Sequence, residues 1–99
     1  MKFIITESKM EQVVFNYLNN QDFIKVENKD SVYFLNSTDD KSTKIRYNKN
    51  YGWCNVNYIL VKEISSFFSL DNPDSKNLIG KWVENTLQMK VTSTRRWLF

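Results

Sequence analysis

Hydrophobic residues recur with the period of an α-helix in three segments of the chain. Asn57 is the predicted N-cap of the second helix, and Asn72 is the predicted N-cap of the third, which has Pro73 at its first position. The first helix is expected to end at the turn formers of residues 19–22. The three stripes are Met10, Val13, Val14, Tyr17 and Leu18; Leu60, Val61, Ile64, Phe67 and Phe68; and Leu78, Ile79, Trp82, Val83, Thr86 and Leu87.

Shorter segments alternate with the two-residue period of a β-strand. The predicted strands are residues 2–5, 23–26, 32–35, 44–48, 53–57 and 90–94. Residues 27–30 form a polar hairpin connection, so that residues 22–57 predict an antiparallel meander. This order of elements predicts an α+β fold with an antiparallel sheet of four to five strands and three helices, packed mainly on one face.

The length of 99 residues accommodates one domain, spanning residues 1–99. Its 15% aromatic content supplies enough apolar area for a core without a disulfide or a metal. The predicted core consists of Met10, Val13, Val14, Tyr17, Leu18, Ile45, Val56, Ile64, Phe68, Leu78, Trp82, Val83 and Leu87.

The composition argues against most catalytic and metal sites. The chain has no His, so that Ser-His-Asp and Cys-His arrangements cannot form, and its single Cys cannot complete a zinc site. Cys54 shares the apolar face of its strand with Val56 and is expected to be a buried structural residue. The paired acids Asp39-Asp40 are typical of a solvated turn. We therefore predict a non-enzymatic protein without catalytic residues, metal or cofactor.

Neither end of the chain predicts a membrane role. Residues 1–5 reach polar Thr6 too soon to form the hydrophobic region of a signal peptide. No apolar run approaches the roughly 18 residues needed to span a bilayer. These observations predict a cytoplasmic protein that does not bind membranes.

Basic and aromatic residues coincide in two places, which is typical of nucleic-acid-binding surfaces. Strand alternation places Lys44 and Arg46 on the face opposite Ile45, and Trp53 follows nearby. The net charge of +3 permits a polyanionic partner. Solvated strand faces also carry such residues without binding anything. The candidate nucleic-acid-binding residues are Lys41, Lys44, Arg46, Lys49, Tyr51, Trp53, Lys90, Arg95 and Arg96.

The C-terminal residues support a second hypothesis. Three large apolar residues follow two arginines at the end of the chain, and Trp and Arg are frequent anchors of protein interfaces. These residues either complete the core as a final strand or form an arm that docks on a partner, which includes a second copy of the chain. The candidate protein-interaction residues are Arg95, Arg96, Trp97, Leu98 and Phe99.

Two regions carry a resemblance to a known class of proteins. Residues 1–8 run directly into an amphipathic helix, and residues 67–70 precede the pattern Leu78-Ile79-x-x-Trp82-Val83-Glu84-x-x-Leu87 and a Lys-Val strand. In these regions the chain resembles short proteins of tailed phages of marine bacteria and of marine metagenomes. The resemblance does not extend to the Trp53-Cys54 strand. It implies an α+β domain and a viral setting, and it implies no activity, because none is assigned to that class.

Together these observations predict a small phage-type accessory protein that acts as a protein-interaction module in the host cytoplasm. The alternative is a nucleic-acid-binding protein that uses a basic and aromatic sheet face.

Overall fold

A computed structural model describes residues 7–35 and 43–97, with the side chains of residues 9–35 and 43–95. The helices are α1 (Glu7–Asn19), α2 (Tyr58–Phe68) and α3 (Asn72–Leu87). The strands are β1 (Ile24–Glu27), β2 (Ser31–Leu35), β3 (Thr43–Asn48), β4 (Trp53–Asn57) and β5 (Ser93–Trp97). The predicted α+β class is confirmed. The strand predicted at residues 2–5 lies outside the described residues.

One face of the sheet forms the core with the helices. Alternate residues of β2, β3 and β4 are buried there, as strand geometry requires. Trp82 of α3 lies across this face, with its ring centre 5.2 Å from that of Phe34 and its indole N–H donating to Asn19 Oδ1 at 2.9 Å. The core residues are Val14, Leu18, Val32, Phe34, Ile45, Tyr47, Cys54, Val56, Leu60, Val61, Ile64, Leu78, Ile79, Trp82 and Val83.

The five strands are hydrogen-bonded in chain order. β1 to β4 form the predicted antiparallel meander. β5 lies parallel to β4, so the sheet is mixed and the prediction of a purely antiparallel sheet is wrong for its last strand. The cause is the connection: α2 and α3 carry the chain across one face and return it to the end of the sheet at which β4 begins, as in other crossovers to a parallel strand.

Three details differ from the sequence prediction. The N-cap of α3 is Asp71, whose carboxylate accepts from the amide of Asp74 at 2.8 Å, and not Asn72, which is helical. The last strand begins at Ser93 rather than at residue 90. Val13 is 40% exposed, because α1 buries a narrower stripe centred on Val14 and Leu18. The predicted cap of α2 is confirmed: Asn57 Oδ1 accepts from the amide of Ile59 at 2.7 Å.

The position of β5 depends on contacts with the turn before β4 and with α3. Gly52 adopts a φ of +72°, and its carbonyl accepts from the amide of Thr92 at 2.8 Å. The hydroxyl of Thr92 donates to the Tyr51 carbonyl at 2.6 Å. On α3, a Cβ at Gly80 would overlap the hydroxyl of Thr94, so that any larger residue at this position requires the Thr94 side chain to shift.

Within the described ranges, no helix is long and apolar enough to cross a membrane.

We expect Gly80→Ala to destabilise the fold by about 1–2 kcal/mol. The added methyl would collide with Thr94, and overpacking of this kind outweighs the roughly 1 kcal/mol that Ala gains over Gly in a helix. Urea denaturation measures the change. In a Thr94→Ala background the collision is removed, and the same substitution should then be neutral or stabilising. A stabilising effect of Gly80→Ala in the wild-type background would contradict this packing.

Candidate nucleic-acid interface

The face of the sheet opposite the core carries a row of directly opposed residues from all five strands. The sheet register aligns Val26, Tyr33, Arg46, Asn55 and Arg95 in this order. Their strand neighbours on either side point towards the helices, so this row points away from them. We call the surface around this row the open face, because no described helix packs on it.

Trp53 is the centre of an aromatic and cationic stack on the open face. Its ring is stacked on that of Tyr51, with 4.5 Å between ring centres and 21° between planes. The Arg95 guanidinium lies 4.3 Å from the centre of the same ring. Along the chain, Tyr51 lies two residues before Trp53. Arg95 is paired with Asn55, which lies two residues after Trp53. Tyr51 and Arg95 therefore both lie against the indole ring of Trp53.

A second pair of the same kind lies across the sheet. The Arg46 guanidinium is 5.6 Å from the centre of the Tyr33 ring, its direct neighbour on β2. Nε of Arg46 is buried and has no hydrogen-bond partner in the part of the chain that the structure describes. Each of the two arginines on the open face thus lies near an aromatic ring, whose electron-rich face attracts the positive charge.

The open face carries no negative charge in the described strands. Their only acidic residue, Glu27, is paired with Val32 and so belongs to the opposite face. Its carboxylate contacts Lys49 Nζ at 2.5 Å, and this ion pair lowers the pKa of Glu27. Lys49 also donates to the carbonyl of Asn28 at 2.8 Å. The ammonium of Lys49 is therefore engaged at the hairpin and does not belong to the open face.

Lys44 does not lie in the predicted position beside Arg46. The register pairs Phe34 with Ile45 and Leu35 with Thr43, so that Lys44 is the extra residue of a β-bulge. Its side chain lines a cavity of about 70 Å³ together with Leu60 and other residues near the helices. The bulge breaks the alternation that the sequence suggested.

Only some of the remaining candidate residues lie in the part of the chain that the structure describes. Lys90 is exposed, and its carbonyl accepts from the Tyr47 hydroxyl at 2.7 Å. The backbones of Arg96 and Trp97 belong to β5, and their side chains are not among those that the structure describes. Residue Lys41 and the terminal pair Leu98 and Phe99 lie outside the described residues. The structure brings together Arg46, Tyr51, Trp53 and Arg95.

The candidate residues chosen from the sequence omit three members of the row on the open face: Val26, Tyr33 and Asn55. Tyr33 alternates with the core residues Val32 and Phe34, and this alternation was a usable signal. Asn55 had the same signal, since it alternates with the core residues Cys54 and Val56, but its place between two arginines also depends on the parallel pairing of β4 with β5.

A separate apolar surface lies on the helical side of the molecule. Phe67 is 69% exposed and Ile59 45% exposed, and both line a shallow depression next to Tyr17. Exposed aromatic and aliphatic side chains of this kind are typical of protein interfaces. This surface carries the charges of both Lys62 and Glu63.

Within residues 7–35 and 43–97, no three potential metal ligands of the His, Cys, Asp or Glu types cluster together. Comparison with known proteins found no matching protein-family model, no matching curated protein and no matching solved structure.

Cys54 is fully buried on the core face, between β3 and β5. Burial raises the pKa of the Cys54 thiol to about 12. The thiol is therefore protonated at neutral pH and shielded from solvent, which agrees with a structural role.

We expect the free energy of unfolding to fall as the pH rises above 9.0, the ordinary pKa of the thiol, towards about 12. In this window the unfolded chain loses the Cys54 proton and the folded chain keeps it, so that alkali favours unfolding. The slope contributed by one such group is at most about 1.4 kcal/mol per pH unit. Urea denaturation over this pH range measures it.

Burial also raises the pKa of Tyr17 and Tyr47, which adds to the decline at higher pH. Cys54→Ala is the control: it should lower stability at neutral pH and reduce the slope. An unchanged slope in this variant would show that the thiol does not cause the decline.

Proposed function

We propose that this protein binds single-stranded nucleic acid across the open face of its sheet. The observation that carries the proposal is the pair of arginine–aromatic contacts on one sheet face, Arg46 with Tyr33 and Arg95 with Trp53. Sheets that bind single strands combine such positive charges with rings on which bases stack.

Tyr51 offers the stacking surface. Its ring is the outer member of the stack with Trp53, and the residue is 60% exposed. A base placed on its free side would continue the column of planes that Tyr51 forms with Trp53. Only unpaired bases can enter such a column, because the bases of a duplex already stack on one another.

The electrostatics of the open face agree with a polyanionic ligand. Arg46 and Arg95 form no ion pair with a carboxylate among the described residues. With no acidic residue on this face of the described strands, phosphate would meet attraction without local repulsion.

A protein-interaction module is the second candidate, and the exposed side chains of Ile59 and Phe67 favour it. The two functions use different surfaces, since these residues belong to α2 on the helical side. The resemblance to phage proteins supports, for either function, an accessory role in the cytoplasm of an infected host.

We expect Tyr51→Ala to weaken binding of a fluorescent oligothymidylate of about 15 nucleotides roughly tenfold at low salt. The loss corresponds to one base–ring stack, worth about 1–3 kcal/mol. Fluorescence anisotropy measures the affinity.

Phe67→Ala is the matched control, because it removes an exposed ring from the helical side and should leave the affinity unchanged. Absence of oligonucleotide binding by the wild type at low salt would refute the proposal. Equal losses in the two variants would show that the open face is not the binding surface.

A further inference from the structure

Arg46 and Arg95 lie on either side of Asn55 in the row of opposed residues. Arg46 is directly opposite Asn55 on β3, and Arg95 is directly opposite it on β5. Neighbouring strands are about 4.8 Å apart, so that the two arginine backbones are separated by roughly 10 Å. Two long side chains at this separation can reach one ligand above Asn55 from opposite sides.

The guanidinium groups of Arg46 and Arg95 have N–H donors without a partner among the described residues. The guanidinium carbons of Arg46 and Arg95 lie 5.6 Å and 4.3 Å from the centres of the Tyr33 and Trp53 rings, and neither group forms an ion pair with a carboxylate of the described residues. At Arg46 the buried Nε has no partner in the described part of the chain. A buried donor of this kind costs free energy unless an acceptor is supplied. No described protein group supplies this acceptor, and because Nε is buried, a ligand can supply it only when the Arg46 side chain moves.

The side chains of Arg46, Asn55 and Arg95 favour an anionic ligand. Asn55 can donate from its amide between two positive charges, and no carboxylate lies on this face of the described strands. Guanidinium groups pair with phosphate through two parallel N–H bonds, which gives both charge and geometry. The two phosphodiester oxygens without ester links share the negative charge, and each can accept more than one N–H, so that one phosphate can accept from both arginines.

We propose that Arg46, Asn55 and Arg95 together bind one backbone phosphate of the single strand, an inference that rests on the proposed function. This phosphate site is central to the open face. The Tyr51 ring and the Arg95 guanidinium both contact Trp53, so a base can stack on Tyr51 while the neighbouring phosphate occupies the site.

The dependence of affinity on salt tests whether the arginines share a phosphate. For single strands, each neutralised phosphate contributes about −0.7 to the slope of log affinity against log salt concentration. Oligothymidylate binding is measured between about 50 and 200 mM salt for the wild type, Arg46→Gln, Arg95→Gln and the double variant. Lys62→Gln removes a ring-bound cation from the helical side and is the matched control.

If one phosphate is shared, each single variant weakens binding but keeps the wild-type slope, and the double variant lowers the slope by about 0.7. Asn55→Asp, which puts a carboxylate in the site, should weaken binding at least tenfold, and Asn55→Ala should weaken it less. Thermal unfolding of each variant checks the fold. Should Asn55→Asp not fold, Asn55→Ala and the slopes decide.

Other results overturn the inference in distinguishable ways. A slope lowered by about 0.7 in each single variant and by about 1.4 in the double variant means two separate phosphates. An unchanged slope in the double variant places the phosphates elsewhere on the protein, and in both cases the proposed function survives. Failure of the wild type to bind, or equal competition by polyglutamate, refutes the proposed function together with the inference.

Discussion

The burial of one face of the sheet against three helices decides where the charged and aromatic strand residues lie. Ile45 and Val56 are opposed on the core face, and strand alternation then forces Arg46 and Asn55 outwards as a second opposed pair. A shift of the register by one residue would bury the arginine and expose the core. The hydrophobic core therefore also determines the composition of the open face.

Most of the fold was predictable because it depends on local patterns. The period of hydrophobic residues located three helices and four strands, and Asn57 identified the start of α2. The parallel pairing of β5 was not predictable, since it depends on distant contacts such as the bond between Thr92 and Gly52. The close approach of Gly80 to Thr94 is equally invisible in a linear sequence.

In the candidate interface, too, local features were predictable from the sequence and long-range contacts were not. Alternation within β3 placed Arg46 on the face opposite the core, but it could not foresee the bulge that separates Lys44 from it. The sequence identified Arg95 as a candidate binding residue but not its contact with Trp53. Only the three-dimensional sheet brings Arg95 onto the Trp53 ring. Lys49 was a candidate binding residue in the sequence, but in the structure its ammonium forms an ion pair with Glu27.

The long connection between β4 and β5 has a consequence for the order of folding. The strands of the meander are joined by short segments, whereas Trp53 pairs with Ser93 across about forty residues of intervening chain. Closing that long loop costs more entropy than forming the hairpins, and contacts of high sequence separation slow folding. β5 is thus the strand expected to join last and to detach first. Since Arg95 lies on it, a ligand bound by Arg95 would stabilise the closed sheet by mass action and so couple binding to completion of the fold.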